Sequence, residues 1–496
     1  MLTGDMITRA SLDSGLSAKL IFIVDTADPL RKVYDFLSDD YEKWIGHPLG
    51  SIPAPDENGN ATESGTYGEY FLGPFLDALK QIGVVPELVD NYQSYVSGKF
   101  TPAIKTFIEK KDEVKEIIER VSGRELDDDW FPFNPAGSDG SMDGVIVTGC
   151  EWPIISWRDS LGVEGESDLS VTGVFHGKLP WRLDWPAKWF WLGVTCEAFG
   201  KDHGASGGSY DTGKELVGLL DYDAPHPLTY EWIQVKGMGP MSSSTGITIG
   251  PVETLKLIPP EIMRFVIAKA KVGRHIDFDT GGALFEAADE YERSHSWLIS
   301  EEFGDDMSKR QRVAMETQLG AMRLSQVERN ADASDSIGGV SFKHLSMLAQ
   351  IKSDDDDIWK SLQLSKHLSG EPSDALKNRL NRMRYWISSE HFPVDAKIRL
   401  QSKLSDAAIQ NISMESKEYL EKLSEVLSNC NWDVDSIRDC ICDLAKERGI
   451  GLRNAFVMLY WIFLDQHHGP KMANLLVELE SDYVIGMILE AISQIS

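Results

Sequence analysis

An uninterrupted apolar run, Leu20–Val24, constrains this chain more than any other stretch of its sequence. A run of strand length without alternating polar residues predicts a strand covered on both faces, as in sheets of parallel strands. The run ends at Asp25, and open α/β sheets bind their ligands beyond the carboxyl ends of such strands. Before it, Leu2–Leu12 predicts a helix. The sequence therefore predicts an α/β region that begins with a helix.

Three regions follow one another along the 496 residues. Residues 1–255 have the alternating strand and helix pattern of an α/β domain, interrupted at about 100–178 by glycine-rich, strand-like sequence that predicts an inserted subdomain. Residues 256–335 predict a helical connecting region, and residues 336–496 predict an all-helical domain. The composition, 42% hydrophobic and 26% charged, is that of a folded protein and excludes a largely disordered chain.

Cysteine content and hydropathy indicate a cytoplasmic protein. Five cysteines without a Cys-x-x-Cys pair argue against a disulfide framework and against a zinc ribbon. The longest apolar run, Ala455–Leu464, is short compared with the roughly 20 residues that span a bilayer. The N-terminus lacks the apolar core of a signal peptide. We therefore expect no membrane partner.

The chain is strongly acidic, with a net charge of −29 from 49 Lys and Arg against 78 Asp and Glu. As an average, this excess repels phosphate and disfavours nucleic acid as a partner. Two runs depart from the average, because residues 377–403 and residues 256–275 each contain more bases than acids. Each run fits a solvated helix face and, equally, a local and salt-sensitive contact with nucleic acid.

The segment PWRLDWPAKW, from Pro180 to Trp189, carries the densest candidate functional residues. Pro186 suits the first turn of a helix that begins after Trp185. Trp185 and Trp189 have the spacing of one helix face, which favours a place in the core. Trp181 precedes that predicted helix and is available to line a pocket, where an indole face attracts a ligand ammonium.

Two glycine-containing turns come next. Gly200–Gly204 (GKDHG) follows an apolar stretch, and its glycines allow close approach of the backbone to a ligand. Within it, Asp202 is suited to accept hydrogen bonds from ribose hydroxyls. Lys236–Gly246 (KGMGPMSSSTG) holds three successive serines between glycines and predicts a mobile, donor-rich loop for polyphosphate. Taken singly, the first segment also fits a polar turn and the second a flexible linker.

In combination, these segments resemble the class I lysyl-tRNA synthetases of the archaeal type. The matching segments are WRLDWPAKW (181–189), GKDH (200–203), SYDTGKE (209–215), YEW (230–232), MSSSTG (241–246), DTADPLRKVYDFL (25–37) and ERGIGLRNAFVMLYWIFLDQHHGPKMANLL (447–476). The resemblance covers nearly the whole chain, and its specificity lies in the combination and the order of the segments.

The resemblance implies a Rossmann-type catalytic domain with an inserted subdomain, followed by an α-helical anticodon-binding domain. It implies ATP-dependent activation of lysine to lysyl-adenylate and transfer to tRNA-Lys. By motif, the lysine pocket would be lined by Trp181, His203 and Tyr230. The residues facing ATP would be Gly200, Asp202 and Gly246. The loop that stabilises the leaving pyrophosphate would contain Met241, Ser242, Ser243 and Ser244, with Lys236 beside it.

Further expectations concern metals and tRNA. We expect Mg²⁺ to accompany ATP, and no zinc, because the inserted region offers only Cys150 and His176, too few for a tetrahedral site. An aromatic pocket without an obvious arginine favours lysine over glutamate. The tRNA contact implied by the family would fall on the basic run of the helical domain, at Lys377, Arg379, Arg382 and Arg384.

Two departures from the family pattern stand out. In the serine-rich loop, Pro240 and Thr245 replace the lysines that usually flank Met-Ser-x-Ser. No segment matches the His-x-Gly-His signature that follows the family's first strand, and the first histidine is His47. Since that strand is central in a doubly wound sheet, we expect this sequence to lack the start of a longer protein and to be impaired in adenylation. The alternative is a non-catalytic paralogue that binds lysine or tRNA.

Overall fold

A computed structural model describes residues 1–231, 233–235, 239–240, 250–300, 307–331, 339–412 and 416–494. The chain forms two compact units. The first contains Met1–Leu255, Arg264–Phe278 and Arg323–Arg329, and the second contains Lys256–Met263, Asp279–Met322 and Asn330–Ser496. The predicted connecting region, 256–335, thus contributes to both units, and its predicted end at residue 335 lies outside the described residues.

Helices and short strands alternate in the first part of the chain. The helices are α1 (Leu2–Asp13), α2 (Tyr67–Gln81), α3 (Asn91–Val96), α4 (Thr101–Glu109), α5 (Lys111–Ser122), α6 (Trp181–Leu192), α7 (Ser209–Gly218), α8 (Pro251–Leu257) and α9 (Pro260–Ala268). The strands are β1 (Ile21–Val24), β2 (Pro53–Pro55), β3 (Ala61–Thr66), β4 (Glu87–Asp90), β5 (Asn134–Pro135), β6 (Ile146–Glu151), β7 (Ile154–Arg158), β8 (Glu164–Asp168), β9 (Gly177–Lys178), β10 (Cys196–Gly200), β11 (His226–Tyr230), β12 (Ile233–Val235), β13 (Gly239–Pro240) and β14 (Ile276–Phe278).

The first unit contains two separate pairs of parallel strands. β1 pairs with β4, which places Val24 opposite Asp90, and β10 pairs with β11, which places Gly200 opposite Tyr230. The side chains of β1 are only half-buried, so the expectation of a strand covered on both faces is wrong. Among the described strands, β1 pairs with β4 alone, so its side chains have neighbouring strand residues on one side only.

Helices α1 and α6 test the local predictions, and α1 confirms the predicted N-terminal helix. Helices α4 and α5 are separate because Lys110 between them has a non-helical φ of −106° and ψ of 31°. Helix α6 begins at Trp181, earlier than predicted, because the carbonyl oxygen of Pro180 already accepts from the N–H of Asp184 (2.9 Å). Pro186 therefore lies inside the helix.

The region predicted as an insert shares its core with the helices around it. Strands β6, β7 and β8 form an antiparallel meander, and β5 pairs with β9. Ile155 of β7 and Phe133 belong to one buried cluster with Leu183 of α6 and Leu216 of α7, two helices that lie outside the predicted insert. Burial of these shared apolar side chains, worth roughly 1.5–3 kcal/mol each, holds the meander on the α/β part.

A buried ion cluster stabilises the first unit where its chain segments meet. The Arg264 guanidinium is fully buried and donates to the Asp5 carboxylate (2.6 Å) and to the carbonyl oxygens of Ile82 (2.9 Å) and Leu324 (2.8 Å). Arg9 binds the same Asp5 carboxylate at 2.9 Å. Although Arg264 lies in a run whose charge fits nucleic acid, its side chain is therefore enclosed by the protein.

In the part of the second unit that the structure describes, the regular elements are helices. They are α10 (Gly282–Ser300), α11 (Lys309–Leu324), α12 (Phe342–Ile351), α13 (Asp355–Leu364), α14 (Asp374–Ser388), α15 (Asp406–Asn411), α16 (Lys417–Asn429), α17 (Val434–Glu447), α18 (Leu452–Leu464), α19 (Met472–Leu476) and α20 (Ser481–Gln494). Trp386 of α14 is fully buried against Phe342 and Phe392.

The apolar run Ala455–Leu464 lies within α18 and supplies core residues such as Ile462. None of the helices in the described ranges combines the length and the apolar content that a bilayer crossing requires. The α/β first part and the helical last part of the chain agree with the predicted fold class.

Replacing Arg264 tests the ion cluster. We expect Arg264→Met to lower the free energy of unfolding by about 3 kcal/mol or more, because it leaves buried carbonyl oxygens unpaired and part of the Asp5 charge uncompensated. The matched control is Arg274→Met, since Arg274 is exposed in the same basic run. Urea denaturation followed by circular dichroism measures both. Equal losses in the two variants would contradict a stabilising role for Arg264.

Candidate functional site

The candidate site lies at the carboxyl ends of β10 and β11, beside the N-terminus of α6. Parallel pairing brings the last residues of the two strands, Gly200 and Tyr230, to the same edge. The backbone N–H of Lys201 donates to the carbonyl oxygen of Tyr230 at 3.0 Å, which closes this edge. Open α/β sheets bind ligands at such edges. Residues far apart in the sequence therefore converge here.

Aromatic rings form one wall of the site. The Trp181 and Trp185 rings are nearly parallel, with their centres 5.6 Å apart. The centre of the His203 ring lies 6.0 Å from that of Trp181 and 5.5 Å from that of Trp185. Trp185 and Trp189 are buried, which confirms their predicted core position, whereas Trp181 is 40% exposed. An exposed indole supported by a buried one presents a rigid apolar face to a ligand.

The turn Gly200–His203 places a carboxylate and an imidazole at the same edge. The N–H of His203 donates to the carbonyl oxygen of Gly200 (3.1 Å), and the His203 carbonyl oxygen accepts from Tyr210 at the start of α7 (3.0 Å). A Cβ at position 200 would stand 2.6 Å from Asp202 Oδ1. Glycine is thus needed for the observed position of Asp202, which lies 3.7 Å from His203 Nε2.

Tyr230 faces the site with 39% of its surface exposed. Partial burial, together with the negative charges of Asp202 and Glu197, raises the pKa of its phenol above the ordinary value. The hydroxyl therefore stays protonated at neutral pH and can donate a hydrogen bond to a ligand. The structure thus brings together the five predicted residues that it describes here: Trp181, Gly200, Asp202, His203 and Tyr230.

Glu197 of β10 is a residue that the sequence analysis missed. Its Oε2 accepts from the indole Nε1 of Trp189 at 3.1 Å. Burial raises the pKa of its carboxyl to about 7, although Trp189 and the charge of Lys188 both favour the ionised form. The available signal was an acid within the otherwise apolar strand sequence CEAF.

Lys188 of α6 also escaped the sequence analysis. Its ammonium is nearly completely buried between the carboxylates of Asp25 (2.5 Å) and Asp184 (2.6 Å). Burial disfavours the charged ammonium, but the two carboxylates outweigh that effect and hold the pKa of Lys188 above its ordinary value. The same nitrogen lies 5.6 Å from the centre of the Trp181 ring. The end of β1 and the aromatic wall therefore belong to one site.

Six predicted site residues lie outside the described ranges: Lys236, Met241, Ser242, Ser243, Ser244 and Gly246. As for metals, the described residues contain no group of three or more His, Cys, Asp or Glu side chains that could hold an ion.

The four basic residues predicted to contact tRNA occupy different environments in the second unit. Arg379 is buried, binds Glu292 at 3.0 Å and lies over the Phe342 ring. Its predicted phosphate contact therefore conflicts with the structure, because the guanidinium has no surface to offer. Arg384 binds Asp355 (2.6 Å) and donates to backbone carbonyl oxygens.

The other two predicted bases are nearer the surface. Arg382 is half-buried, and burial lowers the pKa of its guanidinium. Lys377 is exposed, with Asp374 at 3.7 Å. Of the four bases, Lys377 is thus the best placed to meet a phosphate.

Two family models match the chain. The model described as "tRNA synthetases class I (K)" matches residues 1–321, and the one described as "Anticodon binding domain" matches residues 345–492. The chain is 34% identical over 487 residues to a lysine–tRNA ligase of Picrophilus torridus, covering 98% of this chain and 91% of that protein. It is 34% identical over 490 residues to a lysine–tRNA ligase of Thermoplasma volcanium, with 98% and 92% covered.

Solved structures resemble the chain more distantly. The crystal structure of a glutamate tRNA ligase from Elizabethkingia meningosepticum aligns with 97% of this chain and 100% of its own, at 15% sequence identity and a TM-score of 0.38.

The raised pKa of Glu197 predicts a pH-dependent stability. Its folded pKa of about 7 exceeds the value of roughly 4.3 of an unfolded glutamate, so folding favours the protonated form. The protonated Glu197 carboxyl makes its full contribution to the free energy of unfolding below the pKa of the unfolded state. That contribution is lost as the pH rises through the folded pKa of about 7. We therefore expect Glu197→Gln to be more stable than the wild type at pH 8, by on the order of 2 kcal/mol.

Urea denaturation between pH 5.5 and 8 measures this difference. The difference in the free energy of unfolding between Glu197→Gln and the wild type should become smaller toward pH 5.5, because the carboxyl of the folded wild type is then mostly protonated. Glu63→Gln, at an exposed position of β3, is the matched control and should follow the wild-type curve. If the free energies of unfolding of Glu197→Gln and the wild type change with pH in parallel, ionisation of Glu197 does not destabilise the folded protein.

Proposed function

This chain belongs to the class I lysyl-tRNA synthetases, and on that premise we propose that it activates lysine with ATP and transfers the lysyl group to tRNA-Lys. The observation that carries the proposal is the convergence of Trp181, Gly200, Asp202, His203 and Tyr230 at one sheet edge. These five residues come from three separate motifs of the sequence, and a shared ligand explains why they meet.

Lysine would bind against the aromatic wall. Its side-chain ammonium is attracted by the exposed Trp181 face, an interaction worth about 2 kcal/mol when water is excluded. His203 lies against Trp181 and Trp185, which fixes its ring beside the ligand. The protonated hydroxyl of Tyr230 offers a hydrogen bond to the amino acid. A carboxylate side chain such as that of glutamate would gain little here, because the Lys188 ammonium beside Trp181 is already paired with Asp25 and Asp184.

ATP would bind on the opposite side of the same edge. Gly200 allows the backbone to approach the nucleoside, and Asp202 is suited to accept hydrogen bonds from ribose hydroxyls. The loop residues Met241, Ser242, Ser243, Ser244 and Gly246, with Lys236, would donate to the phosphates. Mg²⁺ would accompany ATP, because this ion is usually bound through phosphate oxygens and a few carboxylates.

The reaction consists of two displacements. A carboxylate oxygen of lysine attacks the α-phosphorus of ATP, and the bond to pyrophosphate breaks, which yields lysyl-adenylate. A hydroxyl of the terminal tRNA ribose then attacks the lysyl carbonyl carbon, and AMP leaves with the bonding electron pair. Holding both reactants in line supplies much of the rate enhancement, and donors on the leaving phosphates supply charge stabilisation.

tRNA would contact the second unit through a small part of its surface. Since Arg379 is buried, we assign this contact to Lys377 together with Arg399 and Lys403 of the same basic run, which are exposed. The rest of the acidic surface repels phosphate, so the contact is local. A cytoplasmic location agrees with these partners.

Replacing Trp181 tests the lysine pocket. We expect Trp181→Ala to weaken lysine binding about 10- to 30-fold, through loss of the cation–π attraction, and Trp181→Phe to retain most of the affinity. Isothermal titration calorimetry with lysine measures the effect. Trp297→Ala, which removes another exposed tryptophan, is the control. Unchanged affinity in Trp181→Ala would remove this residue from the pocket.

Lysine-dependent exchange of pyrophosphate into ATP separates the enzyme from a binding-only paralogue. The synthetase proposal predicts exchange with lysine and none with glutamate. Lysine binding without any exchange would instead support the non-catalytic alternative for this chain.

Salt dependence tests the tRNA contact. We expect the triple variant K377A/R399A/K403A to bind tRNA-Lys more weakly, with the slope of log affinity against log salt reduced by about one for each lost phosphate contact. The control variant K360A/K422A/K446A removes three exposed lysines that lie beside acids. Equal slopes for the two triple variants would place the contact elsewhere.

A further inference from the structure

The carboxylate of Asp25 lies at the carboxyl end of β1, where it pairs with the buried ammonium of Lys188. Its side chain is 45% exposed. Oδ1 accepts from the Lys188 ammonium at 2.5 Å, whereas Oδ2 has no hydrogen-bond partner in the described part of the chain. One oxygen therefore fixes the carboxylate, and the other remains available to a ligand.

The lysine that holds Asp25 is itself buried and paired. Lys188 is only 4% exposed, and its second partner, Asp184, is fully buried. Asp184 Oδ1 accepts in turn from the Tyr95 hydroxyl at 2.6 Å, and Tyr95 stacks on Phe100. Both ions keep their charge, because Lys188 holds the pKa of Asp184 below its ordinary value despite burial. The position of Asp25 is thus determined by a buried network.

The network carries an excess negative charge. Lys178, which pairs with Asp28, also acts electrostatically on Asp184. The two lysines therefore face three carboxylates: Asp25, Asp28 and Asp184. Since Asp184 is completely enclosed, the uncompensated charge is presented to solvent through Asp25 and Asp28. Charge in a partly buried site acts more strongly than in water.

Asp25 adjoins the aromatic wall. The Lys188 nitrogen that holds Asp25 also lies 5.6 Å from the centre of the Trp181 ring. A ligand ammonium drawn to the exposed indole therefore meets a fixed carboxylate beside it. We propose that Asp25 is a specificity-determining residue that accepts a hydrogen bond from the side-chain ammonium of lysine. This inference rests on the proposed function, because it concerns the same lysine pocket.

Such a contact explains how the pocket rejects isosteres. Norleucine has the length of lysine but ends in a methyl group, which would leave the Asp25 oxygen desolvated and unpaired. Sites built around a buried polar group discriminate strongly against ligands that cannot pair with it. Glutamate would be repelled by the excess negative charge of the network.

Asp25→Asn tests the inference, with Asp28→Asn as the matched control. Both carboxylates pair with a lysine of the network, and Asp28 is 33% exposed, but only Asp25 adjoins Trp181 through Lys188. Titration calorimetry measures binding of lysine and of norleucine to the full chain, and the thermal midpoint checks folding. We expect Asp25→Asn to weaken lysine binding about 10- to 100-fold, the loss of one charge-assisted hydrogen bond, and to leave norleucine binding unchanged.

Three results would overturn the inference. In the first, Asp25→Asn leaves lysine binding intact. In the second, it weakens lysine and norleucine equally, which indicates a structural role or a contact with the α-ammonium. In the third, Asp28→Asn has the same effect as Asp25→Asn. Wild-type protein that does not distinguish lysine from norleucine would overturn the proposed function itself, whereas the first three results leave it standing.

Discussion

The candidate site depends on the pairing of the buried Lys188 ammonium with two carboxylates. It joins Asp25 at the end of β1 to Asp184 on α6, and through Asp184 it reaches Tyr95 of α3. Leaving a buried ion without a partner costs several kcal/mol, so these elements are stable only in contact with one another. The Trp181 ring lies over the same ammonium, and the aromatic wall is therefore positioned by the network that sets the local charge.

The net charge of −29 is an average over regions of opposite local charge. At the sheet edge, an excess of carboxylates beside an indole favours a cation such as lysine. On the second unit, Lys377, Arg399 and Lys403 are exposed bases within a run that departs from the acidic average. Because interactions between exposed charges fall off over a Debye length of about 8 Å at physiological salt, both environments can coexist on one acidic chain.

The sequence was sufficient to predict which candidate residues lie together within one segment. Gly200, Asp202 and His203 share a turn, and parallel pairing brings Tyr230 to it. The sequence was insufficient where burial decides. Arg379 was predicted to contact tRNA, yet it follows Leu376 by three residues and precedes Met383 by four, and this helical spacing directs its side chain into the core. The role of Lys188 could not be predicted from the sequence either, because its partner Asp25 lies far away in the chain and only the folded structure brings the two together.

The central claim is that this site selects lysine for attachment to tRNA. The most direct measurement supplies the protein with ATP, tRNA-Lys and all twenty amino acids together, and identifies the amino acid esterified to the tRNA by mass spectrometry. Lysine alone is expected, because only its side chain carries an ammonium for the Trp181 face and for the Asp25 carboxylate, which adjoins that ring through Lys188. Esterified glutamate, or a mixture of amino acids, would contradict it.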